Sequence, residues 1–456
     1  MRSTDRCKLT KNGSGFALGQ RKASVAYIYG RVQCERGFFR KQIAVPSPDR
    51  SASCFEVEFI TPTRFMIMHH FDIALLVLLC LATSGEMVRG EEIARLKPRD
   101  PRPVLPNELQ ESIEAGVEHL LSTQRKDGAW GGPQWTGGVD NDPVPGAFRS
   151  FDVAVAAMCL ESLIDVPQSD EVQVARDRAY DFLMARTNEI KRAGPNDLPQ
   201  VWAHCYCIQT FAKLLARTDD TRPDEQLREA IYQHINGLTR WQSVHGGWFY
   251  YGAGMSVPIN PSCSFVNSAV LTALARARDK GIDTDCPMVD RALTATRLMR
   301  KPDSSFIYTL RIPADKSRAM QPINRPAGSL GRSQVGNLAL RLWRDERISD
   351  DVIRNWLNRL VTRHGWLDMG RKRPIPHESH AAVAGYFYYF GMYYGTQCIE
   401  QLPESEREFY QHHLARLLID RQEKDGSWFD YPLYSYHKPY GTAFALLSLQ
   451  SCRPTP

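Results

Sequence analysis

Side chains able to do chemistry recur at or near the starts of apolar segments. They are Asp152 in "SFDVAVAA", His204 with Cys205 and Cys207 in "WAHCYCIQ", and Cys263 in "PSCSFV". Further along come Gln334 with Asn337 in "RSQVGN", His380 in "ESHAAVAGY", and Tyr440 with Thr442 in "KPYGTAFA". A carboxyl such as Asp152 acts as a general acid when burial keeps its proton near neutral pH, and His204 or His380 can support it by holding or moving that proton. Asp152 also stands where an N-cap belongs, just before "VAVAAMCLESL". His204, Cys205 and Cys207 are zinc-ligand types, but two cysteines two residues apart on a helix diverge by about 200°. No metal site and no cofactor is therefore assigned. Trp202, Tyr206, Cys263, Phe265, Tyr386 and Tyr440 are the candidates for lining an apolar, aromatic ligand pocket.

The elements that must position these residues come in two kinds. "ELQESIEAGVEHLLSTQ" places Ile113, Val117, Leu120 and Leu121 on one stripe opposite acids and amides, the pattern of an outer helix with one wet face. "FDVAVAAMCLESL", "WAHCYCIQTFAKLL", "CSFVNSAVLTALARA", "SQVGNLALRLW", "HAAVAGYFYYFGMYY" and "YGTAFALLSLQ" are apolar nearly all round, which predicts helices buried on both sides.

The two kinds alternate with a repeat. "QRKDGAW" and "RQEKDGSW" match at Gln124 and Gln422, Asp127-Gly128 and Asp425-Gly426, and Trp130 and Trp428, with weaker copies at "HGGWFYYG", "DSSFIY" and "RHGWLDMG". The aromatic marks fall at intervals of about 58 to 62 residues or twice that, which is a repeat architecture. Six units fill residues from about 104 to 453. Six outer and six inner helices closing into a ring predict an all-α fold, an α/α toroid or (α/α)6 barrel. The starts of the inner helices would line its chamber with positive dipole ends.

"QRKDGAW" and "RQEKDGSW" resemble the Gln-Trp motif of the prenyltransferase and squalene-cyclase repeat superfamily, and the helical periodicity resembles it over the whole folded part. The resemblance implies a terpenoid-cyclase-like toroid holding an apolar or isoprenoid-like small molecule. In that family squalene-type cyclases carry an Asp-x-Asp-Asp cluster, of which "SFDVAVAA" keeps only Asp152. Protein prenyltransferases hold zinc with an Asp-x-Cys pair and a later His, whereas here Pro261 precedes Cys263 in the acid's place and "GRSQVGNLAL" has no His. Three readings stay open: a divergent terpene-cyclase-like enzyme, a non-catalytic toroid binding a ligand or protein, and an (α/α)6 carbohydrate-active enzyme using loop acids such as Asp140, Asp142 and Asp430.

The 456 residues are 43% hydrophobic and carry a formal charge of +6 without a dense basic block, which gives nucleic-acid binding no support. Eleven cysteines in this length do not make a disulfide scaffold. "MIMHHFDIALLVLLCLATSGEMVRGEE", from Met66, has an apolar run from Ile73 to Ala82 that suits a signal peptide and is too short for a transmembrane helix. The expected organisation is an upstream extension over 1–65 outside the mature protein, a signal peptide over 66–90, and export of the toroid over 104–453. No protein partner is identified.

Overall fold

The computed structural model describes residues 96–138, 148–190, 200–215, 217, 222–250, 261–284, 286–310 and 321–453. The chain divides into two units, Met1–His70 and Phe71–Pro456, and every described residue lies in the second. The upstream extension, the signal segment, Asp140 and Asp142 lie outside the described residues.

The outer helices are α1 (Pro106–Thr123), α3 (Asp170–Arg186), α5 (Asp224–Trp241), α7 (Pro287–Met299), α9 (Asp350–Arg363) and α11 (Glu404–Ile419). The inner helices are α2 (Phe148–Ile164), α4 (Gln200–Leu214), α6 (Ser264–Asp279), α8 (Leu330–Leu342), α10 (Phe387–Ile399) and α12 (His437–Ser451). Odd helices bury one stripe, as Leu227, Ile231, Ile235 and Leu238 do in α5, while every residue of α10 is buried. The inner helices pack side by side in the order α2, α4, α6, α8, α10, α12, and α12 returns to α2. The ring is closed. It is an all-α toroid of six helix pairs.

The repeat turns explain how each pair is joined to the next. Gln124, Gln242 and Gln422 each donate one side-chain amide to the carbonyl of their own turn glycine and to a carbonyl on the following outer helix. Those second acceptors are Ala175 on α3 at 2.9 Å, Met288 on α7 at 2.7 Å and Ser112 on α1 at 2.9 Å. The last copy thus ties the end of the chain to its beginning. Trp130, Trp248 and Trp428 are fully buried, and each indole N–H donates to the carbonyl ten residues upstream at 2.7 to 2.8 Å.

The motif glycine is required twice over. Gly426 has φ +78°, and a Cβ built there would lie 2.3 Å from the Ala115 carbonyl oxygen on α1. Gly426→Ala is expected to cost about 1–3 kcal/mol in denaturant unfolding. Gly365→Ala, where nothing lies within 4 Å of the new carbon, is expected to change stability little and serves as the control. Equal stabilities would refute the clamp.

The fifth inner helix departs from its expected start. His380 does not open it; α10 begins at Phe387, and the stretch before it is a turn in which His377 has φ +66° and Ala382 φ +54°. A Cβ at Gly385 would meet the Asp430 carbonyl oxygen at 2.4 Å. The apolar "AAVAG" therefore packs as a loop against the neighbouring turn, although its composition favours helix.

Candidate functional site

The described parts of the outer-to-inner connections, residues 124–138, 187–190, 242–250, 261–263, 300–310, 321–329, 364–386 and 420–436, lie between the ends of the outer helices and the starts of the inner ones, at one mouth of the ring. Two of them are stitched by a short antiparallel pair, β1 (Ser262–Cys263) with β2 (Thr309–Leu310). Below this mouth aromatic rings cross the axis. Trp202 on α4 stacks on Tyr206 at 5.7 Å and on Phe265 of α6 at 5.8 Å. It also meets Phe390, on the diametrically opposite α10, edge-on at 6.3 Å. Phe390 continues to Phe444 of α12 at 6.2 Å, and Phe444 back to Tyr206 at 6.0 Å. The chamber thus has an aromatic floor. Tyr206, Phe265, Phe390 and Phe444 are buried, while Trp202 stays partly exposed and forms its upper surface.

A chain of polar groups borders this floor. Tyr250 and Tyr308 hydroxyls lie 3.1 Å apart, Tyr308 and Tyr386 hydroxyls 3.3 Å apart, and the Tyr386 hydroxyl is 3.1 Å from His377 Nε2. His377 Nδ1 lies 2.8 Å from the Ala382 carbonyl oxygen, which can only accept, so Nδ1 carries the proton and Nε2 accepts from Tyr386. Burial lowers the His377 pKa and keeps the ring neutral. Phe265 touches both Tyr250, at 5.8 Å, and Tyr308, at 5.4 Å. Beneath them Arg332 is buried, with its guanidinium 5.0 Å from the Tyr308 ring and its donors on the carbonyls of Gly328, Phe306 and Ile323. Burial draws its pKa down to about 10.

The residues singled out in the sequence divide sharply. Trp202, Tyr206, Phe265 and Tyr386 are brought together at the mouth. Tyr440 joins through its ring edge on Phe444, at 6.3 Å, and donates its hydroxyl to Asp430 at 2.5 Å. Cys263 is fully buried at the cap of α6, and desolvation pushes its thiol well up. Asp152 is the fifth residue of α2, whose start at Phe148 rules out an N-cap. Its carboxylate accepts from Arg125 Nη1 at 2.8 Å and from the Tyr436 hydroxyl at 2.9 Å, and it remains 22% exposed. Burial raises its pKa, with Arg125 opposing.

His204 points away from the chamber. A half-turn from Trp202 and Tyr206, it places Nδ1 3.0 Å from His234 Nδ1 on α5, and burial lowers its pKa to about 4. Gln334 and Asn337 likewise face outward, donating to the carbonyls of Trp356 and Ser304. His380 is exposed on the 364–386 connection. Asp430 is fully buried, so it offers no open carboxylate. Among the described residues no three His, Cys, Asp or Glu side chains come together to hold a metal ion, and no helix is long and apolar enough to cross a membrane.

Sequence reading missed Tyr250, Tyr308, His377 and Arg332. A signal was there: the residue two after the repeat aromatic is Tyr250 after Trp248, Tyr308 after Phe306 and Asp430 after Trp428, and each turns inward.

No protein-family model and no curated protein matches the sequence. Solved structures do. The GH76A α-1,6-mannanase of Salegentibacter sp. HEL1_6 aligns with a TM-score of 0.50 at 12% identity, over 76% of this chain and 100% of that chain. Cellobiose 2-epimerase from Spirochaeta thermophila gives a TM-score of 0.49 at 14% identity, over 76% and 98%. The type II terpene cyclase MstE from Scytonema gives 0.42 at 15%, over 76% and 97%. At 12% identity the likeness to the mannanase shows the fold alone and leaves the chemistry to the site.

Proposed function

We propose that the protein binds an apolar, isoprenoid-like molecule at the long-loop mouth, as a member of the prenyltransferase and squalene-cyclase-like toroids. The observation that carries this reading is the floor of stacked rings topped by the partly exposed Trp202. Aromatic faces bury apolar chains and stabilise positive charge. In a catalytic form, Asp152 supplies a proton and the Tyr386 and His377 pair receives one, because Nε2 already accepts from the phenol.

Titration with farnesol, followed by calorimetry, is expected to show saturable binding that Trp202→Ala weakens at least about tenfold, the scale of losing one large stacked contact. Asp152→Asn is expected to keep that binding while abolishing any cyclisation of a polyprenyl substrate. A second reading, a carbohydrate-active enzyme, is favoured by the partly exposed Asp152 held between Arg125 and Tyr436. Trp202-dependent binding of α-1,6-mannotriose, with none of farnesol, would replace the first reading by the second.

A further inference from the structure

The opposite mouth of the ring, where the inner helices end, is built differently. A cavity of about 390 Å³ opens there, lined from α2, α4, α6, α10 and α12. Its base is an ionic cluster crossing the axis. Arg276 of α6 donates Nη1 to Glu161 Oε1 of α2 at 3.0 Å, to Gln209 Oε1 of α4 at 3.0 Å and to the Tyr393 hydroxyl of α10 at 3.2 Å. Tyr393 in turn donates to Gln209 at 2.9 Å. Glu161, Gln209 and Tyr393 are almost completely buried, whereas the Arg276 side chain keeps 31% exposure.

Filling the axis here with apolar rings, as at the other mouth, would avoid a desolvation penalty of several kcal/mol per ion. Two acceptors in its lining are also left over: Glu161 Oε2 and Gln450 Oε1 are buried and meet no hydrogen-bond donor. Buried carboxylate oxygens are normally satisfied, and one that is not calls for a partner. Glu161 is paired with Arg276 and Asp165 with Lys213 at 2.6 Å, and Glu400, Lys280 and Arg453 also line the cavity. Charges of both signs therefore line it, so an added ion would meet a like charge beside each opposite one. What the cavity offers is mixed donors and acceptors around a paired floor, including the side-chain amides of Gln397 and Gln450 at its wall.

We propose that this cavity binds a small neutral polyhydroxylated molecule, a single sugar ring or polyol, whose hydroxyls donate to Glu161 and accept from Arg276. This site is separate from the aromatic mouth and does not depend on what binds there.

The test is calorimetry of the full chain with glucose, mannose and sorbitol, with citrate and spermidine as the anionic and cationic comparators. At least one of the three neutral probes is expected to bind saturably, unaffected by saturating farnesol and by salt up to 0.5 M, a range that screens purely ionic attraction. The Gln397→Leu and Gln450→Leu double variant is expected to weaken that binding at least about tenfold, the scale of two lost hydrogen bonds. If the double variant fails to fold, hydrogen exchange of the wild type replaces it. The bound probe should then protect amides near Lys213 and Gln397 and leave those near Trp202 and Tyr386 unchanged. Failure of all three neutral probes overturns the proposal. So does binding confined to citrate or spermidine, competition by farnesol, or unchanged affinity in a folded double variant.

Discussion

Trp428→Ala is expected to lower the unfolding free energy by about 3–5 kcal/mol, because it removes a large side chain from a site with no exposed surface. The cavity cannot collapse readily. One wall is Gly116 of α1, where even a Cβ would lie 2.7 Å from the indole and 2.9 Å from Leu446 of α12. The substitution also leaves the Leu418 carbonyl without its 2.8 Å indole donor, at the end of α11. Because Gln422 in the same turn fastens α11 to Ser112 of α1, the damage falls on the seam that closes the ring. Urea unfolding with a changed midpoint and an unchanged slope would fit this account. A loss below about 1 kcal/mol would mean that the repeat tryptophan does not hold the units together.

Asp430→Ala is expected to cost about 2–6 kcal/mol, since it strands two buried donors at about 1–3 kcal/mol each. They are the Tyr440 hydroxyl at 2.5 Å and the backbone N–H of Tyr389, in the first turn of α10, at 2.9 Å. The 420–436 connection thus caps the helix that carries Tyr386 at its start. The same carboxyl makes stability depend on pH. Burial raises its pKa to about 7, against the bonds from Tyr440 and Tyr389 and the charge of Arg371. The unfolded value is about 3.9. Between these values the folded protein holds the proton and the unfolded chain does not. The Asp430 contribution therefore declines as the pH rises from about 4 to about 7 and is level above that.

Asp430→Asn can accept from the Tyr389 N–H with its one oxygen and turn its amide NH2 to the Tyr440 oxygen, and it cannot ionise. Its stability relative to wild type should rise across that window, by up to about 1.4 kcal/mol per pH unit. Parallel pH profiles for the two proteins would show that Asp430 does not hold a proton in the fold.

The helices and the repeat turns were readable because their causes are local. One wet face or none is a periodicity within a single helix. The motif needs only a glycine at positive φ, an indole and a glutamine within seven residues, as at Gln422, Gly426 and Trp428. His204 shows the limit of that reading. Helical spacing places it opposite Trp202 and Tyr206, yet nothing local says which side looks down the axis. Its contact with His234 on α5 shows that it faces the outer layer. The placement of His380 at the start of the fifth inner helix failed for the opposite reason, since a helix-favouring string is held as a turn by the packing of Gly385 against Asp430.

By itself, then, the sequence determined six helix pairs, their inner and outer layers, and the turns that join them, all consequences of patterns spanning a few residues. Tertiary structure alone decided the site. Tyr250, Tyr308, Tyr386 and His377 come from three different connections, and Trp202 meets Phe390 across the full ring. Such contacts carry no periodicity. They exist because α12 closes onto α2, and closure brings residues far apart in the chain to one axis, where burial and hydrogen bonding select which of them face one another.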